Sequence, residues 1–338
     1  MRAFRIIACL VTIVACTGGT VAASHADISG STMGTTYHVV LATLPSSIGE
    51  VRLHDEIDDI LDGIDARMST YRDDSEISRF NATSSTAWFP VSSDTRDVVA
   101  EARRVAVLSG GAFDATLLPL VELWGVGRRV APVSLPSAGA IREASTSVGF
   151  SKVETRGGSP AIRKHRADVR IDLSAIAKGF AVDRVAAHLA SRDIDDYLVE
   201  IGGEVRVGGT SPTGSAWRVA IEQPSGGPLA AQTVVALTSG AVATSGDYRH
   251  YFEHSGRRYS HVIDPRTGRP VAHQLVSVTV VDRSAMHADA YATALLVLGP
   301  RAGVELASEQ GLAALFLSRE EGGFAQVSTP QFKRYVIR

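Results

Sequence analysis

A run of short strand-like segments, joined by turns alone, limits the fold of this chain more than any other feature. Apolar and alternating patterns predict strands at 197–201, 205–208, 217–222, 233–238, 249–253, 259–262 and 276–282. Parallel neighbours need a long crossover between strands, so this succession favours antiparallel pairing. With 338 residues, 45% of them hydrophobic, the chain can bury a substantial core. We therefore predict an α+β fold with antiparallel-rich sheets and flanking helices, and not a doubly wound parallel sheet.

Helices are fewer and flank these strands. Apolar residues at helical spacing predict helices at about 57–68, 94–108, 175–191, 286–298 and 301–309. Further strands are expected at 35–39, 151–155, 169–173 and 313–318, and 127–136 is predicted to be an exposed loop.

The first 26 residues are typical of a targeting segment. Arg2 and Arg5 precede an apolar run at 6–15 that is too short to span a bilayer. Two cleavage sites compete: residues 13–16 resemble a lipobox, which would make Cys16 the lipidated first residue, and ordinary cleavage would follow Ala26. We predict a domain at 27–338. Its lack of cysteine suits an oxidising compartment and excludes disulfides there.

Charge and histidine spacing exclude two functional classes. The net charge of −2 comes without a basic stripe, which argues against nucleic-acid binding. The ten histidines are scattered without metal-ligand spacing, so a zinc site is not expected. The remaining candidates are oxygen ligands, which suit a hard cation such as Mg²⁺.

The apolar helix at 286–298 contains one conspicuous polar pair. Asp289 and Thr293 stand four residues apart, so their oxygens share one helix face. The pair can serve as two metal ligands or as a helix-packing hydrogen bond. The residues by themselves leave both readings open.

Two other stretches carry polar groups at special backbone positions. At 171–180 a strand feeds a helix, and Lys178 in the first turn is unfavourable for the helix dipole, which suggests an anion ligand rather than a solvated lysine. His261 precedes a turn at 264–268, where it can be a base or a structural histidine.

Taken in order, the motifs of this chain resemble those of the ApbE family, the FAD:protein FMN transferases. They are S-T-M-G-T at 31–35, S-T-Y at 69–71, S-E-I-S at 75–78, G-A-F-D at 111–114, D-L-x-x-I-A-K-G at 172–179, I-G-G-E at 201–204, A-T-S-G-D-Y at 243–248, S-H-V-I-D-P-x-T-G at 260–268 and A-D-A-x-A-T-A at 288–294. The resemblance extends from about residue 30 to residue 337. It implies two intertwined lobes with the active site between them.

The resemblance also implies an activity and the residues that carry it. The family transfers the FMN half of FAD to a Thr or Ser hydroxyl of an acceptor protein and releases AMP. Positions that match family contacts with FAD are Met33, Tyr71, Ala112, Phe113, Asp114, Asp172, Lys178 and Ile263. The carbonyl of Ala175, with Asp289 and Thr293, matches the Mg²⁺ site, and His261 matches a catalytic histidine.

Partners and location follow from the same resemblance. The acceptor is expected to be a membrane redox subunit with a D-x-x-[ST]-G-A-[ST]-like pattern, and the protein a periplasmic lipoprotein anchored through Cys16. Residues 236–242 lack the acid and the final hydroxyl of that pattern, so self-modification is not expected. Hydrolysis of FAD to FMN and AMP, and a flavin carrier without catalysis, remain alternatives.

Overall fold

The computed structural model describes residues 25–126, 134–222, 231–247 and 251–337. The targeting segment therefore lies outside the described residues up to residue 24, as do Tyr248 of the 243–248 motif and most of the loop predicted at 127–136. The first strand begins at Ala26, one residue before the predicted start of the domain. None of the helices in the described ranges is long and apolar enough to cross a membrane.

The described residues form seven α-helices and eighteen β-strands. The helices are α1 (Glu50–Met68), α2 (Glu76–Ala82), α3 (Ser93–Leu108), α4 (Leu118–Trp124), α5 (Ala138–Ser145), α6 (Ala177–Ser191) and α7 (Ala285–Glu309). The strands are β1 (Ala26–Thr32), β2 (Thr35–Leu41), β3 (Phe89–Pro90), β4 (Val153–Arg156), β5 (Ala161–Lys164), β6 (Tyr197–Ile201), β7 (Glu204–Gly208), β8 (Trp217–Glu222), β9 (Ala231–Leu237), β10 (Ser239–Gly246), β11 (Tyr251–His254), β12 (Arg257–Ser260), β13 (Ile263–Asp264), β14 (Arg269–Pro270), β15 (Leu275–Asp282), β16 (Ala313–Glu320), β17 (Gly323–Ser328) and β18 (Val336–Ile337).

One large sheet organises the molecule. Its eight strands lie in the order β1-β2-β6-β7-β10-β15-β16-β17, and every strand pair among the described residues is antiparallel. The smaller sheets are antiparallel too, with the orders β18-β9-β8 and β3-β5-β4 and the hairpins β11-β12 and β13-β14. The prediction of an antiparallel-rich α+β fold is confirmed.

Both faces of the large sheet are covered. Because side chains alternate along a strand, Val39 and Leu41 face a core shared with α1, α3, α6 and α7, whereas Val40 belongs to a second core. That second core is closed by β8 and β9, which contribute Trp217 and Val235. The strand run therefore makes a three-layered body, with helices on one face of the large sheet and a small sheet on the other.

A third apolar cluster lies apart from these two. It consists of Leu120 and Trp124 of α4, Ile141 of α5, Val148 and Ile263 of β13. The rings of Trp124 and Tyr259 stack with their centroids 6.1 Å apart, which fastens the β11–β12 hairpin to this cluster.

The predicted strand at 169–173 is wrong. Val169, Ile171 and Leu173 are fully buried, as a strand pattern requires, but the segment joins no sheet. The side chain of Asn81 takes the place of a neighbouring strand: its Oδ1 accepts from Ile171 N at 2.7 Å and its Nδ2 donates to Ile171 O at 2.8 Å. A side chain makes the hydrogen bonds that a neighbouring strand would make. The alternation of buried residues therefore predicted a strand where none forms.

The motif at 31–36 forms a hairpin turn between β1 and β2. Thr32 pairs with Thr35, and Met33 and Gly34 between them have φ values of 49° and 74°. A two-residue turn with positive φ at both positions suits the right-handed twist of the flanking strands. Met33 is thereby held at the tip of the hairpin.

Elsewhere the predicted elements match with shifted ends, and several short ones were missed. The helices predicted at 286–298 and 301–309 join into α7, which is kinked at Gly299 (φ 81°) before Pro300. The missed elements are α2, α4, α5, β1, β3, β5, β10, β13, β14, β17 and β18. Each helix in that group has only seven or eight residues, too few for a clear helical period.

A fully buried lysine ties α2 to the segment that was mispredicted. Lys164 Nζ donates to the carbonyl oxygens of Phe80 and Val169, both at 3.1 Å, and approaches that of Asn81 at 3.5 Å. The ammonium therefore meets the negative end of α2. Burial holds the pKa of Lys164 below its usual value, and the nearby Arg170 lowers it further.

Replacing this lysine is expected to destabilise the fold. Lys164→Met keeps the aliphatic length but leaves buried carbonyl oxygens without their donor, so the free energy of unfolding should fall by about 2–3 kcal/mol. Urea denaturation measures the change, and Lys333→Met is the matched control because Lys333 is exposed. A Lys164→Met protein as stable as this control would contradict the role given to the ammonium.

Candidate active site

The first turns of α6 and α7 lie in direct backbone contact. A Cβ added at Gly179 would clash with the carbonyl oxygen of Ala285 and lie 2.8 Å from Met286 Cα. Only glycine permits this approach, although glycine is unfavourable in a helix. The contact fixes the register of the two helices at their N-terminal ends.

A carboxylate of α6 caps α7. Asp183 accepts hydrogen bonds from Ser284 Oγ at 2.7 Å, Ala285 N at 3.0 Å and Met286 N at 3.1 Å, and it also pairs with Arg206 of β7. It thus satisfies free N–H groups of α7 and complements the positive end of its dipole. The N-terminal end of α7 is therefore positioned from α6.

Asp289 sits one turn into α7 with 3% of its surface exposed. Its Oδ2 accepts from Gly179 N at 3.0 Å. The first helical hydrogen bond of α6 runs from Phe180 N to Ile176 O. Among the described residues, the Ala175 carbonyl thus receives no backbone N–H, because the Gly179 N–H that regular helical bonding would direct to it goes to Asp289.

Thr293 follows Asp289 by one turn and is half-buried. Its Oγ1 lies 2.8 Å from Ser245 Oγ of β10. The hydroxyl is therefore held in place by a partner from the large sheet. Ala175 thus lies just before α6, and Asp289 and Thr293 lie in the first turns of α7.

The chemistry of these groups fits a hard divalent cation. A carboxylate, a hydroxyl and a carbonyl freed from helical bonding are all oxygen ligands, and Mg²⁺ takes one or two carboxylates and completes its shell with water or substrate phosphate. Burial raises the pKa of Asp289, opposed by the charge of Lys178 and the Gly179 N–H. No group of three or more His, Cys, Asp or Glu suited to a metal occurs in the described ranges, so the site has no zinc-like ligand set there.

Lys178, beside Gly179, forms an ion pair within the site. Its Nζ lies 2.5 Å from Glu204 Oε2 of β7, and 30% of the lysine side chain is exposed, against 3% for the glutamate. Burial opposes the charge of Lys178, but Glu204 and Asp289 outweigh it and hold the pKa of Lys178 above its usual value. Burial also raises the pKa of Glu204 to about 8, against the charge of Lys178.

The β1–β2 hairpin lies next to this lysine. Gly202 in the β6–β7 turn has φ 59°, and a Cβ there would lie 2.9 Å from Thr35 Cγ2 and 3.3 Å from Lys178 Cδ. Residues 31–36 of the hairpin, Met33 included, line a groove of about 550 Å³ together with Asp62 and Asp65 of α1. This groove has the size of a small-ligand site.

The segment at 112–116 is joined to the strand–helix junction by a backbone hydrogen bond. Asp172 N donates to Ala115 O at 2.7 Å, and Asp172 Oδ1 accepts from Ser174 N at 2.9 Å. Ala112 and Phe113 are buried. Two of the predicted contact segments, 112–114 and 172–178, are therefore neighbours in the fold.

Asp114 is engaged by its own surroundings. Its Oδ1 accepts from Thr116 N at 2.8 Å and Thr116 Oγ1 at 2.6 Å, and its Oδ2 accepts from Phe150 N at 3.0 Å. Burial raises the pKa of Asp114, and these donors oppose the rise. The carboxylate fixes the turn that presents Ala112 and Phe113.

The remaining predicted residues differ in exposure. Tyr71 follows the end of α1 and is 60% exposed, which is unusual for a large aromatic side chain. Ile263 is buried in the third apolar cluster. His261 is half-buried between β12 and β13, at the end of the hairpin that packs on Trp124.

Four residues of this site were missed from the sequence. Gly179, Asp183, Glu204 and Ser245 act through partners more than twenty residues away in the chain. Only Gly179 carried a local signal, since a glycine in the first turn of an apolar helix indicates close packing.

Comparison with known proteins agrees with this architecture. The model of the ApbE family matches residues 33–316. A Vibrio cholerae protein described as FAD:protein FMN transferase is 42% identical over 316 residues, which cover 94% of this chain and 94% of that protein. A protein of the same description from Escherichia coli K12 is 38% identical, with 92% of this chain and 89% of that protein covered.

Solved structures give the same result. The flavin transferase ApbE from Vibrio cholerae has a TM-score of 0.86 and 41% identity, covering 92% of this chain and 99% of that one. The ApbE protein of Thermotoga maritima has a TM-score of 0.82 and 30% identity, covering 93% and 100%. By sequence and by fold, this chain belongs to the ApbE family.

Proposed function

We propose that this protein is a Mg²⁺-dependent FAD:protein FMN transferase that modifies a Thr or Ser hydroxyl of an acceptor protein and releases AMP. The observation that carries the proposal is the junction of α6 and α7. There the buried Asp289, one turn before Thr293, accepts a hydrogen bond from Gly179 N. The Ala175 carbonyl, close to Lys178, is thereby left without a helical hydrogen bond. Oxygen ligands and a cation in one place suit a diphosphate with its metal.

The reaction exchanges one phosphorus–oxygen bond for another. The hydroxyl oxygen of the acceptor attacks the FMN-side phosphorus of FAD, and the bond from that phosphorus to the bridging oxygen breaks. AMP leaves with the bridging oxygen, and the hydroxyl proton passes to a base. Mg²⁺, when bound, neutralises charge on the diphosphate oxygens.

The residues of this chain have separate tasks in that reaction. Asp289, Thr293 and the Ala175 carbonyl hold the metal, and Lys178 binds a diphosphate oxygen. His261 accepts the proton of the attacking hydroxyl, as a histidine can near neutral pH. Met33 and Tyr71 contact the flavin or adenine ring, together with the segment Ala112–Asp114, and Asp172 and Ile263 complete the FAD site.

The location and the acceptor belong to the same proposal. The targeting segment exports the protein to the periplasm, where lipidation of Cys16 anchors it to the membrane. The acceptor is a membrane redox subunit with a D-x-x-[ST]-G-A-[ST]-like pattern. Anchoring would keep the enzyme close to an acceptor in the same membrane.

A transfer assay tests the activity. The purified mature protein is mixed with FAD, Mg²⁺ and a peptide that carries the acceptor pattern, and mass spectrometry follows the peptide. We expect an increment of one FMN on the Thr or Ser, with one AMP released for each transfer. FMN and AMP without a modified peptide would indicate a hydrolase, and tight FAD binding without turnover would indicate a carrier.

The metal assignment predicts the effect of removing one charge. In Asp289→Asn the side-chain carbonyl can still accept from Gly179 N, but the ligand charge is lost. The affinity for Mg²⁺, measured by calorimetry, should fall by about 100-fold, and transfer should cease at ordinary Mg²⁺ concentrations. Glu305→Gln, on the exposed side of α7, is the control. Unchanged Mg²⁺ affinity in Asp289→Asn would refute the assignment.

A base role for His261 predicts slower transfer without weaker binding. In His261→Asn, kcat for transfer should fall by about 10²–10⁴-fold, whereas the affinity for FAD should stay within about threefold. His254→Asn, on the same hairpin, should change neither quantity. If FAD affinity falls together with kcat, His261 is a binding residue and not the base.

A further inference from the structure

The site at the start of α6 contains more carboxylates than cations. Three carboxylates act on the charge of Lys178: Glu204 at 2.5 Å, Asp289 and Glu200. Glu200, Glu204 and Asp289 expose only 3%, 2% and 3% of their surfaces to solvent, so water screens these charges weakly. The charge of Lys178 is within reach of all three carboxylates.

Each of these acids has a fixed position. Glu200 Oε1 accepts from Gly203 N at 2.6 Å in the turn between β6 and β7, and Glu204 opens β7 directly after that turn. Asp289 is held by Gly179 N, next to Lys178. Glu200 and Asp289 are therefore held by backbone N–H groups close to Lys178.

We propose that Glu204 neutralises Lys178 in the metal-free site and thereby makes binding of the FAD diphosphate depend on the divalent cation. Without the metal, an ionised Glu204 balances the charge of Lys178, and a diphosphate also meets the carboxylates of Asp289 and Glu200. With the metal, the excess negative charge is cancelled, and Lys178 can bind a phosphate oxygen. Glu204 is a positioning residue that acts through Lys178. The inference rests on the proposed function, because it takes Lys178 to face the diphosphate.

The proposal predicts a gain of affinity, which a purely structural role does not. Glu204→Gln keeps the shape and can still accept from Lys178 Nζ, but removes the negative charge. In EDTA, and at a pH above the pKa of Glu204 of about 8, the variant should bind FAD about tenfold more tightly than the unmodified protein. Flavin fluorescence titration of the purified mature protein measures this affinity, and no turnover intervenes without the metal.

Two further variants isolate the charge of Lys178. In the double variant Lys178→Met with Glu204→Gln, the affinity in EDTA should return to within about threefold of the unmodified protein, because both partners are gone. Glu56→Gln is the matched control: Glu56 is also paired with a cation, Arg192, and contacts His188, but at the far end of α6. His188 lies ten residues from Lys178, about 15 Å along the helix. This control should leave FAD affinity unchanged.

The outcomes separate the inference from the proposed function. Tighter metal-free binding by Glu204→Gln, lost in the double variant, supports the inference. Unchanged or weaker binding by Glu204→Gln, in a protein whose thermal melting is normal, overturns it and leaves the transferase proposal intact. If the double variant is as stable as the unmodified protein but binds FAD in EDTA tenfold more tightly, Lys178 is not the group that Glu204 neutralises. Failure of the unmodified protein to bind FAD with Mg²⁺ present overturns both proposals.

Discussion

The contact between the first turns of α6 and α7 is the constraint on which the site depends. Gly179 lets the backbones approach, Asp183 caps α7 from α6, and the N–H of Gly179 binds Asp289. Each of these three links joins the same two helix ends. A change in any of them would move a proposed metal ligand relative to the carbonyl of Ala175.

The same contact determines the electrostatics of the site. Asp289 is buried because two helices cover it, and Glu204 because the turn before β7 packs against Lys178. Burying charges costs free energy unless partners compensate, and here one lysine serves several carboxylates. Burial raises the pKa values of Asp289 and Glu204, and the charge of Lys178 opposes both rises. On the proposed function, a bound cation would offset this negative charge.

The sequence predicted what depends on local periodicity and missed what depends on distant partners. The i, i+4 spacing placed Asp289 and Thr293 on one helix face, and the junction near Lys178 was predicted within two residues of its observed position. Ser245 was missed because β10 was not predicted, and the strand at 169–173 was wrong because Asn81, ninety residues earlier, satisfies its backbone. Neither Ser245 nor Asn81 can be recognised from the residue pattern around the group that it contacts.

On the proposed mechanism, the excess of carboxylates has a consequence after transfer as well as before it. AMP carries the bridging oxygen away and therefore has more negative charge on its phosphate than it had within FAD. A site in which Glu204 and Asp289 outnumber Lys178 holds such an anion only through the metal. Charge balance would then favour binding of FAD together with the metal and also release of AMP. The buried Glu204 would therefore act both in substrate binding and in product release.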